Sequence, residues 1–199
     1  MFLTPTYETF FRRATIKQMN VKTENTKDKA LDAARLADRL LIDVIVGTRS
    51  IDIFYKMNSN NTIHPVVFHG KLRMCYSHIL LGLSKFTEFY KAYNDVIPVD
   101  CRIQCKNVSE IIECKGINKF RNKYVAHLID KKTGRSLNLD EIEKYLDGFF
   151  GEDETNFIKW VNDQENVFPS TVVSVIEKTR DEIMKQNGIS KKEMNQWQY

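Results

Sequence analysis

The feature that most constrains the fold is a row of eight apolar residues that recur every three or four positions in the first half of the chain. The row consists of Phe68, Leu72, Cys75, Ile79, Leu83, Phe86, Tyr90 and Tyr93. Because an α-helix turns once every 3.6 residues, this spacing puts all these side chains on one helical face. It predicts a single long helix over about 66–94 that packs lengthwise in a bundle.

Helical spacing also dominates the segment before this row. A helix is predicted over about 27–47, with Asn25 or Thr26 as its N-cap. The SIDIFYKM segment that follows alternates apolar and polar residues as a strand does. No second strand is available to pair with it, so helix or irregular chain is the favoured interpretation.

The C-terminal half carries clear start and stop signals for helices. Asn138 and Glu141 form a capping-box pattern ahead of a further apolar repeat. Another helix is predicted over about 154–164. A last helix is predicted to hold Pro169 in its first turn and to end at Gly188.

These patterns predict an all-α fold, a helical bundle with long antiparallel helices. A length of 199 residues fits one domain. We expect an N-terminal extension with at most a short helix over 1–25, a single helical domain over 26–188, and a polar tail over 189–199 that frays.

The cysteine content argues against a disulfide framework and against a zinc knuckle. No two cysteines show the two-residue gap of metal and redox motifs. The cysteines are Cys75, Cys101, Cys105 and Cys114. Without a signal peptide at the start, they indicate reduced thiols in the cytoplasm, with no metal or other cofactor. The longest apolar run, Leu40–Val46, is too short to cross a bilayer, so no membrane partner is expected.

Charge is distributed unevenly along a chain whose formal net charge is +4. The segment 115–135 holds seven basic residues and one acid, whereas 137–165 holds nine acids and two lysines. A basic segment of this kind attracts anionic ligands such as nucleic acid. Two solvated surfaces of opposite charge account for the pattern equally well.

The basic segment contains the stretch FRNKYVAHLID, the part of the chain whose side chains most suggest a catalytic or binding role. Gly116 separates it from the preceding helical pattern, which predicts a break or tight corner there. Beyond that corner an apolar stripe runs from Ile117 to Leu128. Since each residue turns a helix by about 100°, Arg121 and His127 lie about 120° apart, on the two edges of the stripe. Both side chains are predicted to point toward a groove.

An arginine and a histidine on the edges of one groove suit phosphoryl chemistry. Arg121 has a permanently charged, planar guanidinium that matches a phosphate. His127 can accept and release a proton near neutral pH. Together they suit attack of a ribose 2′-hydroxyl on the adjacent phosphate, with the histidine as general acid or base and the arginine stabilising the developing charge. Such a reaction needs no metal ion.

The RNKYVAH stretch resembles the signature of the HEPN superfamily, small α-helical proteins of toxin–antitoxin, abortive-infection and CRISPR-associated defence systems. That signature is an arginine, commonly followed by a polar residue, and then a histidine after a gap of four to six residues. Arg121, Asn122 and His127 match it with a gap of five. The resemblance implies a HEPN-like bundle and a metal-independent endoribonuclease, a hydrolase of RNA, whose catalytic residues are these three.

The resemblance also implies partners. Two copies of the chain would form a homodimer in which the two motifs face each other in one composite cleft. RNA is the expected substrate, with tRNA as a candidate, and a cognate antitoxin or other regulatory protein is the expected control on such a toxin or antiviral effector. Some toxin members carry a modified tyrosine just after the histidine, but Leu128 stands here, so that form of control is not expected.

Further cations around the motif are predicted to bind the RNA backbone and steer it toward the groove. These residues are Lys119, Lys123, Lys131, Lys132 and Arg135.

Three other interpretations stay open on the sequence alone. Arg73 and His78 form a second match with a gap of four, although Met74 follows the arginine and the two side chains lie about 140° apart on the long helix. The groove can instead belong to a non-catalytic module that binds RNA, a nucleotide or a protein. The acidic 137–165 segment can also dock a basic partner on a scaffold protein.

Overall fold

The computed structural model describes residues 7–122, 134–135, 148–150 and 153–195, and over 7–25 it describes the backbone alone. These residues form helices and connecting turns, with no strand among them, so the chain is the all-α bundle that the periodicity predicted. The helices are α1 Tyr7–Ser59, α2 Pro65–Tyr93, α3 Val99–Cys114, α4 Ile117–Phe120, α5 Glu154–Val161, α6 Val172–Gln186 and α7 Lys191–Asn195. Residues 148–150 are also helical, while the capping box predicted at Asn138 and Glu141 lies outside the described residues.

Helix α1 is much longer than predicted, because its 53 residues span about 80 Å at a rise of 1.5 Å per residue. The predicted caps Asn25 and Thr26 are interior residues of this helix, and the SIDIFYKM segment continues it rather than leaving it. Val44, Thr48 and Ile51 are all buried, a 4-3 spacing that extends the buried helical face into that segment. None of the helices in the described ranges is both long and apolar enough to span a membrane.

Helices α1 and α2 run antiparallel and touch closely at two glycines. A Cβ atom on Gly47 would lie 2.7 Å from Cγ1 of Ile79, and one on Gly82 would lie 2.9 Å from Cγ2 of Val44. Only a hydrogen at these positions lets the two helices approach so closely. The bounds of α2 differ from the predicted ones by one residue at each end, and His64 caps it by accepting a hydrogen bond from the backbone N–H of Val66.

The glycine contact between α1 and α2 is testable with a single methyl group. We expect Gly47→Ala to lower the free energy of unfolding by about 1–3 kcal/mol, because the new Cβ overpacks a buried contact. Gly70→Ala is the matched control, since it adds the same methyl to α2 where nothing lies within 4 Å, and it should stabilise the protein by about 0.5–1 kcal/mol. Urea unfolding measures both, and equal stabilities for the two variants would contradict the close approach.

Helix α6 completes the core by packing against α1 and α3. Its start differs from the prediction, because Pro169 precedes the helix and Thr171 is the N-cap. The Thr171 hydroxyl accepts from the N–H of Ser174 at 3.1 Å, and the Ser174 hydroxyl accepts from the N–H of Thr171 at 3.2 Å. This reciprocal pair fixes the first turn of α6, so the helix begins without a proline at its N1 position. The C-terminal end agrees with the prediction, since Gly188 adopts a left-handed φ of 58° just after the helix.

The C-terminal tail is anchored rather than frayed over the residues of α7. Met194 is buried, and the backbone carbonyl of Glu193 accepts a 2.6 Å hydrogen bond from Nη2 of Arg35 on α1. The Glu193 carboxylate accepts from Nζ of Lys27 at 2.8 Å and from the backbone N–H of Ser190 at 2.7 Å. The polar groups that suggested fraying therefore make the contacts that hold α7 against α1.

This docking predicts a pH-dependent contribution to stability. The hydrogen bond from Lys27, followed by those from Ser190, lowers the pKa of Glu193 from 4.5 to about 2. A carboxylate whose pKa is lowered on folding stabilises the protein above the unfolded pKa and stops doing so as the pH falls through the folded pKa. Glu193→Gln should therefore be less stable than the wild type at pH 7, and the difference should shrink as the pH falls from 4.5 toward 2.

Urea unfolding at several pH values measures this difference. Glu110→Gln is the control, because it removes an exposed carboxylate that pairs with Lys106 at 3.7 Å within α3. A stability difference for Glu193→Gln that is the same at pH 7 and at pH 3 would rule out the proposed role of the carboxylate.

Candidate functional site

The candidate site begins at the predicted corner between α3 and α4. Gly116 has a left-handed φ of 72°, and its N–H donates to the carbonyl of Glu113 at 3.0 Å. A residue without a side chain adopts this φ at the least cost. The chain therefore turns at Gly116, as the switch of apolar pattern predicted, and the short helix α4 packs against α2.

Helix α4 is fastened to α2 by a small polar network around Asn118. The Ser84 hydroxyl donates to Oδ1 of Asn118 at 2.7 Å, and Nδ2 of Asn118 donates to the Thr87 hydroxyl at 3.3 Å. Ser84 and Thr87 are almost completely buried, and so are Ile117 and Phe120 on the same side of α4. Buried polar groups fix the register of a contact because leaving one unpaired is costly. This network therefore fixes the position of Arg121, the residue that follows α4, relative to α2.

The network predicts how much one substitution lowers the free energy of unfolding. Asn118→Ala should lower the free energy of unfolding by about 1–3 kcal/mol, because it leaves the buried Ser84 hydroxyl without its acceptor. Asn107→Ala is the control, since the Asn107 side chain is exposed and bonds only weakly, at 3.4 Å, to Gln104 within α3. That control should change stability by no more than about 0.5 kcal/mol. Thermal or urea unfolding decides, and equal effects would show that Asn118 does not anchor α4.

Arg121 lies at the end of α4, where the chain widens into a π-helical turn at positions 121 and 122. Its Nη2 atom pairs with Oε1 of Glu88 on α2 at 2.9 Å, and its side chain is 26% exposed compared with 60% for Glu88. The Nε atom is buried and has no hydrogen-bond partner within the described part of the chain. Widened turns of this type are frequent at functional sites. Arg121 therefore lies at the edge of the core, paired with Glu88 on α2 and partly open to solvent.

The other predicted site residues fall into two groups. Asn122, Lys119 and Arg135 are described and exposed. The remaining residues lie outside the described part of the chain; they are Lys123, His127, Lys131 and Lys132. The structure thus joins Arg121 to Glu88, a partner that the motif did not include, and it leaves the spatial relation of Arg121 to the predicted histidine as a prediction.

One cation of the basic segment has a packing role. Lys115 donates from Nζ to the backbone carbonyl of Phe149 at 2.7 Å and lies 5.8 Å from the ring centroid of Phe157. Phe149 in turn packs edge-on against Phe120 at a centroid distance of 4.9 Å. Lys115 therefore stabilises the aromatic contact beneath α4, and it is not among the cations predicted to bind RNA.

The second match to the motif has a different environment. Arg73 is exposed on α2, whereas Nε2 of His78 lies 3.5 Å from Oδ1 of Asp43 on α1. Oδ2 of the same carboxylate accepts from Nζ of Lys85 at 3.2 Å. His78 thus faces an acid on the neighbouring helix, which favours a structural role for this histidine over phosphate chemistry.

Metal-ligating and nucleophilic side chains do not gather at this site. Within the described ranges there is no group of three or more histidine, cysteine or acidic residues that can hold a metal ion. All the cysteines are free thiols. Burial raises the pKa of Cys105 to about 12, which makes this thiol a poor nucleophile. Cys114 is the exposed cysteine, one residue before the end cap of α3.

A carboxylate shared by two tyrosines lies elsewhere in the bundle, and sequence reasoning missed it. Oε1 of Glu154 accepts from the hydroxyls of Tyr55 and Tyr76. Burial, with the neighbouring Glu154 charge, raises the pKa of Tyr55. Sequence reasoning missed both Glu154 and Glu88 because each carboxylate pairs with a residue on another helix. Periodicity within one helix carries no signal of such pairing.

Comparison with known proteins supports the fold. No family model and no curated protein matches the chain. A solved structure of an integron cassette protein from the mobile metagenome of V. paracholerae is similar, with a TM-score of 0.66 and 21% sequence identity over 78% of this chain and 96% of that one. At this identity the likeness establishes a shared all-α fold.

Proposed function

We propose that this protein is a metal-independent endoribonuclease that cuts RNA by attack of a ribose 2′-hydroxyl on the adjacent phosphate. The observation that carries the proposal is the state of Arg121. Its guanidinium is positioned by Glu88 at 2.9 Å, and about a quarter of its side chain is exposed. A planar cation fixed on one edge and able to donate from another suits a phosphate oxygen.

The roles of the remaining residues follow from the chemistry. His127 takes the proton from the 2′-hydroxyl, the oxygen attacks phosphorus, and the 5′-oxygen leaves as it regains a proton. The products are a 2′,3′-cyclic phosphate and a 5′-hydroxyl. Arg121 stabilises the negative charge that grows on the phosphate, and the exposed Asn122 orients the strand. Lys119 contributes to backbone attraction, together with Lys123, Lys131, Lys132 and Arg135.

Glu88 has a specific place in this scheme. In the free protein its carboxylate lowers the net positive charge presented by Arg121, and it also holds the guanidinium in one orientation. An arriving phosphate binds a cation whose side-chain entropy has already been lost, which is a form of preorganisation. The ion pair therefore supports an arginine that is already oriented for phosphate binding, rather than one that moves freely in solvent.

The biological setting follows from the resemblance to HEPN proteins. We propose a homodimer in which two motifs form one composite cleft, acting as a toxin or antiviral effector in the cytoplasm. RNA is the substrate, with tRNA as the first candidate. A cognate antitoxin or another regulatory protein would restrain the cleavage, because an unrestrained ribonuclease would damage its host.

Cleavage of total RNA and of tRNA in the presence of EDTA tests the proposal. The wild type should cut and leave 2′,3′-cyclic phosphate ends, whereas Arg121→Ala and His127→Ala should lose at least about 100-fold in rate, the usual contribution of a general acid–base group. His78→Ala and Arg73→Ala are the controls from the second motif and should cut as the wild type does.

Each outcome of this assay has a definite meaning. Loss of cleavage in the Arg121 and His127 variants alone supports the proposed site. Unchanged cleavage in His127→Ala contradicts it. If the wild type binds RNA but does not cut it, and Arg121→Ala weakens the binding, the protein is the non-catalytic binding module that uses the same groove.

A further inference from the structure

Each of the two longest helices carries a stripe of exposed apolar side chains outside its buried face. On α1 these are Ile42, Val46 and Ile53, which are 57%, 51% and 55% exposed. On α2 they are Val67 and Met74, which are 48% and 63% exposed. Spacings of four and seven residues keep each set on one side of its helix. One exposed apolar side chain is ordinary on a protein surface, whereas five on two packed helices indicate an interaction surface.

The two stripes flank the same boundary between α1 and α2. Lys71 and His78 belong to the α2 stripe, because positions 67, 71, 74 and 78 follow the 4-3-4 spacing of one helical side. Nε2 of His78 lies 3.5 Å from Oδ1 of Asp43, and Nζ of Lys71 lies 5.9 Å from the ring centroid of Phe54. Asp43 and Phe54 each follow a member of the α1 stripe directly in the chain. The stripes therefore lie side by side over about 16 Å of helix length, and together they are called the α1–α2 outer surface below.

Two cations of this outer surface are not neutralised by an acid. Arg49 lies on the α1 stripe, since it falls three residues after Val46 and four before Ile53, and Lys71 lies on the α2 stripe. Both cations are exposed, and neither has a carboxylate within 4 Å in the part of the chain that the structure describes. The α1–α2 outer surface thus combines its apolar side chains with two positive charges.

The acids near the α1–α2 outer surface do not offset these charges. Oδ2 of Asp43 accepts from Nζ of Lys85 at 3.2 Å, so this pair is neutral. Asp52 and Lys56 lie at the edge of the α1 stripe, where both line a neighbouring cleft and cancel in net charge. The positive charge of the surface therefore comes from the two cations described above, and it favours an acidic partner.

We propose that the α1–α2 outer surface docks an acidic amphipathic helix of a partner protein. A helix of about three turns matches its length, and such a helix presents apolar residues at positions i, i+4 and i+7 to a groove between two helices. Those residues pack on the exposed isoleucine, valine and methionine side chains, while acidic residues beside them pair with Arg49 and Lys71. This inference stands apart from RNA cleavage, because no residue of the Arg121–His127 motif belongs to the surface.

Two other occupants fit the α1–α2 outer surface less well. A second copy of the chain on a twofold axis brings Arg49 and Lys71 close to their own copies, and like charges across an interface weaken association. Single-stranded RNA matches the charge, but it binds through bases stacked on aromatic side chains, and the two stripes contain no phenylalanine, tyrosine or tryptophan. An acidic helix uses both the charge and the aliphatic side chains.

The test uses two synthetic peptides of about 18 residues, a length that can sustain an isolated helix. Both carry leucines with helical spacing on one side, flanked by glutamates in the acidic peptide and by lysines in the basic one. Fluorescence anisotropy of the labelled peptides measures their binding to the full chain. The acidic peptide should bind at least about 10-fold more tightly, since two exposed pairs that turn from attractive to repulsive change the affinity by about that factor.

A charge exchange makes this test specific. Arg49→Glu/Lys71→Glu should weaken binding of the acidic peptide by about 10-fold and tighten binding of the basic peptide by a similar factor. A variant that is merely less stable cannot reverse the preference in this way. Lys106→Glu/Lys159→Glu is the matched control, because it changes the net charge equally at exposed positions on α3 and α5. The control should leave both affinities within about twofold of the wild type, since distant exposed charges are screened by salt.

A second pair of variants tests the apolar contacts. Val46→Ser/Met74→Ser should weaken binding of the acidic peptide by at least about 10-fold, since each change removes a large apolar side chain from the contact. Val99→Ser/Ile103→Ser is the control, because it removes side chains that are 65% and 55% exposed on α3, and it should leave affinity within about twofold of the wild type. Circular dichroism checks that every variant keeps its helix content, which is expected because the replaced side chains are all exposed.

Several outcomes overturn the inference. One is an acidic peptide that binds the wild type with a Kd above about 1 mM or no more tightly than the basic peptide. Another is a wild-type dimer in sedimentation that Val46→Ser/Met74→Ser dissociates without changing affinity for the acidic peptide, because the occupant is then a second copy. Binding to anionic phospholipid vesicles or to single-stranded RNA that falls in Arg49→Glu/Lys71→Glu, while peptide binding does not, identifies a membrane or a nucleic acid instead. The peptide assay involves no cleavage, so its result does not depend on whether the protein cuts RNA.

Discussion

The close approach of α1 and α2 at Gly47 and Gly82 determines where the other parts of the candidate site can lie. With Cβ atoms the two helices would have to separate, because the nearest side-chain atoms are less than 3 Å away. Their separation would move α2, and with it Glu88 and the attached helix α4, relative to α1. Two glycines in the middle of helices destabilise those helices. The close packing of α1 on α2 that the glycines permit compensates for this loss.

Much of the fold could be predicted from the sequence, because apolar spacing reports directly on the buried face of a helix. The bounds of α2 and the corner at Gly116 follow from that signal. The signal failed at SIDIFYKM, where a short alternating run fits a strand and a helix equally well until the buried Ile51 is seen to continue the spacing of Val44 and Thr48. It failed again at Pro169, since the reciprocal Thr171–Ser174 cap lies two residues further along and starts the helix without the proline.

The candidate site was less accessible to sequence reasoning than the fold. Arg121 was predicted at the edge of an apolar stripe, most of which lies outside the described residues, and in the structure a quarter of its side chain is exposed. Glu88 and Asn118 were not predicted, because each depends on which residues of two helices come together. Within one helix, spacing shows which side a residue occupies, but the partner on that side is decided by helix crossing and by small residues such as Gly82.

The great length of α1 has a consequence for how the chain folds during its synthesis. Thr48, Asp38 and Lys27 on α1 bond to residues that lie 114, 142 and 166 positions further along the chain. Closing such large loops is entropically unfavourable, and contacts between distant residues slow folding even in helical proteins. A nascent chain that has emerged only as far as α3 can pair α1 with α2, but the side of α1 that packs on α6 stays uncovered. That surface becomes protected only when the last quarter of the protein has left the ribosome.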